Sequence, residues 1–245
     1  MATYVLVHGA WHGSWCWKRV RKALQNAGHE VFTPTLTGIG ERSHLNSPSV
    51  NLSTHIADVV NLFRWEEISN VILCGHSYAG FVISGVADRI PERIRALVYL
   101  DAFVPESGEC LFDLVPPEQA RDTRHQAQTT GDGWKVAPIS GEIFHVNPRD
   151  LAWMNAQCTP QSIACFEERV ELTEGLGRIR DVTHILATGF REGSPFPVSH
   201  QRAVARGWKL HTIASGHDVM LDAPDELTAF LLEFAQSEAK SRASS

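Results

Sequence analysis

The stretch NVILCGHSYAG, residues 70–80, sets Ser77 among small residues directly after an apolar run. The run VILC at 71–74 is continuously apolar, as expected of a strand covered on both faces in a parallel sheet. The residues after it, YAGFVISGVADRI, read as a crossover helix. Two roles fit a serine at that junction. It can be the N-cap of the helix, or it can be a nucleophile held on a sharp strand-to-helix turn, its hydroxyl raised above the sheet. The second role needs small neighbours so that strand and helix can approach. Gly75 supplies one; on the far side Ala79 stands where glycine is usual, and Gly80 comes one residue later.

Outward from this junction the same rhythm repeats. YVLV at 4–7, an amphipathic stretch ending at Gly28, and EVFTP at 30–34 read as strand, helix, strand. Ile56, Val59, Val60 and Phe63 recur on one helix face, with Ser53 or Thr54 available as its cap. ALVYL at 96–100 is a further buried strand. Regularity then breaks over residues 103–180, too long for a structureless loop, so this segment is expected to be a lid of short helices. The rhythm resumes with THILATG at 183–189, a helix over about 198–206, WKLHTIA at 208–214 and a closing helix from Pro224. The expected organisation is a core of residues 1–102 and 181–245 with a lid of 103–180: an α/β fold with a mostly parallel sheet of about six strands and helices on both faces.

Composition narrows the function. A chain of 245 residues can bury a full core as one domain. The net charge is −6, and Lys18, Arg19, Arg21 and Lys22 fall in a helical pattern as one solvated face, so nucleic acid is not an expected partner. Five cysteines without metal-type spacing fit a reduced, cytoplasmic setting. The N-terminus MATYVLVHG lacks the basic region of a signal peptide, and no apolar run is long enough for a membrane span. The sequence is silent on oligomeric state; a homodimer is the commonest assembly for a soluble enzyme.

Two further segments bear on Ser77. His217, in IASGHDVMLDAP, lies directly after the last strand and before the last helix. A serine hydroxyl is weakly nucleophilic and needs an imidazole within reach to take its proton, and a loop at the C-terminal edge of the sheet can deliver one. In VLVHGAWHGSW the first strand ends in a glycine-containing turn. Such a turn can aim the Ala10 N–H at a carbonyl oxygen, with the Tyr78 N–H as second donor: an oxyanion hole. His8 and His12 are not read as a metal pair, because the turn is no helix and no third ligand is suitably spaced. TGIGERS at 37–43 lacks the spacing of a dinucleotide loop, and no cofactor is expected.

The segments VLVHGAWHGSWCW, LQNAGHEVFTPTLTGIG, VILCGHSYAG, LVYLDAFVP and GHDVM together resemble the α/β-hydrolases, and more narrowly the branch of plant methylesterases, hydroxynitrile lyases and their bacterial relatives. The resemblance implies a Ser-His-acid triad. In most such hydrolases the acid follows the next-to-last strand, yet Gly189 stands there, with Glu192 nearby. Others place it after the strand that follows the nucleophile helix, and LVYLDAFVP puts Asp101 at that spot. Strand ends about 4.8 Å apart leave either position within reach of one imidazole. Asp101 is therefore the expected acid, with Glu192 second.

The expected activity is a cofactor-independent carboxylesterase acting on a small ester, with Trp11, His12 and Trp153 as candidate substrate contacts and Tyr78 and Met154 as further lining. Alternatives on this fold are a hydroxynitrile lyase, a cofactor-free dioxygenase and a ligand-sensing receptor. Lyases resembling this chain carry Thr or Asn where it has Gly9, and some carry Lys where it has Asp218, which counts against cyanohydrin cleavage.

Overall fold

The computed structural model describes residues 1–190 and 194–243, the last eight by backbone alone. In chain order, β1 (Thr3–Val7), α1 (Lys18–Asn26), β2 (Glu30–Phe32), α2 (Leu52–Trp65), β3 (Val71–His76), α3 (Ala79–Arg89) and β4 (Ile94–Leu100) form the first half of the core. An excursion follows, holding α4 (Pro117–Thr129), β5 (Lys135–Val136), α5 (Pro148–Gln157), β6 (Gln161–Ser162) and α6 (Ala164–Glu167). The core closes with β7 (Asp181–Ala187), α7 (Phe196–Ala205), β8 (Lys209–Ile213), α8 (Val219–Asp222) and α9 (Pro224–Ala243).

The six long-range strands form one sheet in the order β2-β1-β3-β4-β7-β8, with every neighbouring pair parallel, while β5 and β6 pair antiparallel. Strand residues alternate between two cores. Val5, Leu73 and Leu97 enter one, whereas Leu6, Cys74 and Val98 enter the other, as the period of two requires when both faces are covered. The register sets Val7 beside Gly75 and His76 beside Leu100, so the turns that follow β1, β3 and β4 leave the sheet at one edge.

Helix α2 differs from expectation at its start. Its cap is Asn51, whose Oδ1 accepts from the Thr54 N–H at 3.0 Å, because the Ser53 hydroxyl instead donates to Glu168 at 2.7 Å. The basic face of α1 is not wholly solvated either. Arg19 forms a two-pronged bond to Asp150 at 2.6 and 2.7 Å and also donates to the Leu221 carbonyl, which staples α5 to the core. That pairing holds the Asp150 carboxyl well below the usual carboxylate range.

Candidate active site

Three residues at the common sheet edge have a left-handed backbone: Trp11 at φ 63°, Ser77 at 56° and Asp101 at 39°. Non-glycine residues occupy that region at a strain of about 1–3 kcal/mol each, and such strain gathers at functional sites. At Ser77 the surroundings hold it. The Ser77 N–H donates to the Leu100 carbonyl, and the Ser77 carbonyl accepts from the Gly80 and Phe103 N–H groups. The close approach required of the turn falls at Gly80, where a Cβ would sit 1.9 Å from the Phe103 carbonyl oxygen. Ala79, fully buried, is therefore compatible with the same turn.

His217 is brought to this edge by the segment between β8 and α8. Its N–H donates to the Phe144 carbonyl, and its ring lies flat on Phe196 at 4.6 Å between centroids, with Phe144 and Phe190 also against it. Nδ1 donates to Asp101 Oδ2 at 2.7 Å, and Asp101 Oδ1 accepts from the Ala187 N–H at 3.0 Å. Burial works against charge on both members. It lowers the His217 imidazole to about 4, so that the ring is neutral at pH 7, and it raises the Asp101 carboxyl against the opposing Ala187 bond.

The place usual for the acid has no room for one. A Cβ on Gly189 would meet the Ser215 carbonyl oxygen at 2.6 Å. Glu192, the second candidate acid, lies outside the described residues.

Ser77 and His217 line one cavity of about 370 Å³ together with Ala10, Trp11 and Tyr78. The N–H groups of Ala10 and Tyr78 donate to no protein acceptor among the described residues. Aromatic rings dominate the rest of the wall: Phe103, Phe112, Phe144, Phe166, Phe190 and Phe196. Gln119 and Thr123, one turn apart on α4, add polar groups, and the described lining contains no Asp, Glu, Lys or Arg. These phenylalanines carry no local sequence signal, since they come from five separate segments that meet only in the fold.

Two expected substrate contacts are not in the cavity. His12 is buried behind the turn that follows β1, where Nδ1 donates to the Ala10 carbonyl at 2.7 Å and Nε2 meets Asp218 Oδ1 at 3.0 Å. Trp153 packs edge-on against Trp15 on the outer side of α5, and Met154 is wholly buried in the core. His8 is likewise committed: Nδ1 donates to the Gly9 carbonyl and Nε2 accepts from the Leu36 N–H. Among the described residues no group of His, Cys, Asp or Glu could hold a metal ion. No described helix is long and apolar enough to cross a membrane.

A six-stranded parallel sheet flanked by helices, with a strained serine turn at its edge, is the architecture of an alpha/beta hydrolase. The chain belongs to the alpha/beta hydrolase family, whose model matches residues 4–230. It is similar to a carbendazim hydrolyzing esterase from Nocardioides sp. (strain SG-4G), 45% identical over 235 residues covering 93% of this chain and 97% of the relative. It is also similar to Methylesterase 3 of Arabidopsis thaliana, 24% identical over 96% of each chain. A solved extracellular alpha/beta-hydrolase from a Paenibacillus species has the same fold, with a TM-score of 0.84 at 21% identity, covering 95% of this chain and 98% of the other.

Proposed function

We propose that the protein is a cofactor-independent serine carboxylesterase that cleaves a small neutral ester with an apolar or aromatic part. That it is an ester-cleaving hydrolase rests on its family and on relatives named as esterases. The finer reading rests on one contact, the 2.7 Å bond from His217 Nδ1 to Asp101, in a cavity that His217 shares with Ser77. With its proton on Nδ1, the neutral ring keeps a lone pair on Nε2.

Ser77 Oγ adds to the ester carbonyl carbon while its proton passes to Nε2 of His217. The carbonyl π pair moves onto oxygen, which the Ala10 and Tyr78 N–H groups hold. Asp101 keeps the ring in the required tautomer and stabilises the imidazolium. Collapse expels the alcohol, which takes the proton from Nε2, and leaves an acyl ester on Ser77. Water repeats the sequence, releasing the acid and restoring the hydroxyl. Residues 103–180 act as the lid that supplies Leu111, Phe112 and Phe166 to the wall. A wall whose described residues carry no acidic or basic side chain favours neutral substrates, because a buried carboxylate would lose hydration without gaining a partner among them.

The test is labelling by a fluorophosphonate, followed by turnover of a panel of methyl, aryl and short-acyl esters that includes carbendazim. Wild type labels at Ser77, and both Ser77→Ala and His217→Ala lose labelling and turnover. Turnover that survives Ser77→Ala overturns the reading, and a wild type that neither labels nor turns over any ester indicates a receptor instead.

A further inference from the structure

The triad leaves unused a buried ion pair that lies directly against it. His12 follows the oxyanion turn, and Asp218 follows the base. Both nitrogens of His12 face acceptors: Nδ1 the Ala10 carbonyl at 2.7 Å, Nε2 the Asp218 carboxylate at 3.0 Å. A carbonyl only accepts, so Nδ1 carries a proton; an ionised Asp218 then asks for a second proton on Nε2. The 3.0 Å contact is off the hydrogen-bond axis and is charge against charge. His12 is raised above its ordinary value by Asp218, and His12 in turn holds the Asp218 carboxyl far below its own, each against the pull of burial. Trp15 stacks on the His12 ring at 5.0 Å and fixes it in place.

We propose that this pair is a fixed dipole aligned with the charge separation of acyl transfer, making His12 and Asp218 positioning residues for the reaction. The inference rests on the Ser77–His217 mechanism given above. In that mechanism negative charge gathers on the carbonyl oxygen at the Ala10 N–H while positive charge appears on His217. The cationic end of the dipole is hydrogen-bonded to Ala10, and the anionic end adjoins His217 in the chain. Each end is thus joined to the group that meets the opposite developing charge, His12 to Ala10 by a hydrogen bond and Asp218 to His217 through the chain and through its field, in a buried setting where fixed charges act strongly and need no reorganisation as the reaction proceeds.

Among the described residues the charged and titratable groups around His217 are Asp101, His76, His12 and Asp218. His76 donates Nε2–H to the His217 carbonyl at 3.0 Å, and burial keeps it neutral, so it ties the base to the serine turn without adding charge. Asp218 favours a proton on His217 more strongly than His12 disfavours one. The pair as a whole therefore supports the imidazolium.

Asp218→Asn tests this, because the amide matches the carboxylate in shape and lets His12 become neutral. The expected result is a kcat lower by about ten- to a hundredfold, below the loss for a direct oxyanion donor. KM stays within about twofold, because neither residue touches substrate, and the acid limb of kcat/KM does not move up. A kcat within threefold of wild type overturns the proposal. A lower kcat with the limb shifted up towards the ordinary histidine value also overturns it, since that is the signature of a loosened loop that lets water reach His217. Should the single variant not fold, His12→Asn/Asp218→Asn, neutral on both sides, is read by the same criteria. Failure of the underlying mechanism is separate: it is seen as turnover surviving Ser77→Ala, whatever the Asp218 variant does.

Discussion

Asp101→Asn is the substitution whose outcome the hydrogen bonds determine most fully. Asp101 uses both carboxylate oxygens, one accepting from the Ala187 N–H at 3.0 Å and the other from His217 Nδ1 at 2.7 Å. An asparagine has only one acceptor oxygen. The Ala187 N–H can only donate, so the amide oxygen must turn to it, which leaves the NH₂ group facing Nδ1. Nδ1 then has to accept, and the ring proton moves to Nε2, the nitrogen that should take the proton of Ser77. Volume and packing are unchanged, so the loss is one of protonation state alone. A wrong-tautomer base of this kind lowers kcat by about 10⁴-fold, or about 5 kcal/mol of transition-state stabilisation. The assay is turnover of p-nitrophenyl acetate with fluorophosphonate labelling in parallel, and with thermal unfolding as a control for the fold. Glu192→Gln, made alongside, is expected to change kcat little. A kcat for Asp101→Asn within tenfold of wild type would refute the argument.

The depressed basicity of His217 gives a second expectation. A general base works only when neutral and fails once pH drops through its pKa; burial moves that value from 6.5 to about 4, so kcat/KM stays level from about pH 8 down to about pH 5. A limb at or above 6.5 would contradict it, and Phe196→Ala, which uncovers the ring stacked at 4.6 Å, should raise the limb. Gly80→Ala drives a Cβ to 1.9 Å from the Phe103 carbonyl oxygen and should destabilise the protein by about 4 kcal/mol or more in urea unfolding. Ala79→Gly should cost no more than about 1 kcal/mol, and equal effects at the two positions would show that the tight approach lies elsewhere.

What could be read from the chain divides along a physical line. The strands and the crossover helix were legible because both-face burial writes continuous apolar runs, as in Val71–Cys74, and such patterns are local. The serine turn and the strand-end position of Asp101 could be placed for the same reason. The assignment of His12 to substrate was not sound, because a glycine-rich turn does not reveal which way a side chain faces, and His12 turns inward to Asp218. Trp153 misled because a tryptophan in a lid can serve either surface, and here it meets Trp15. Asn51 displaced Ser53 as the cap through a competing bond to Glu168, 115 residues away. The aromatic wall was invisible for the deeper reason that Phe103 and Phe196 become neighbours only when β4 and α7 have packed.

The bare main chain at Gly189 has a consequence for how this enzyme can change. Putting a carboxylate at that position by one substitution would jam it into the Ser215 peptide, so the two acid placements cannot be traded through an intermediate that keeps this loop. Any lineage, natural or engineered, that placed an acid at residue 189 would first have to rebuild the bend around residue 215, which also leads directly into His217. With Asp101 as the proposed acid, the choice of strand is held by a neighbouring peptide group rather than by catalysis itself, and variation in activity is left to the residues that shape the wall.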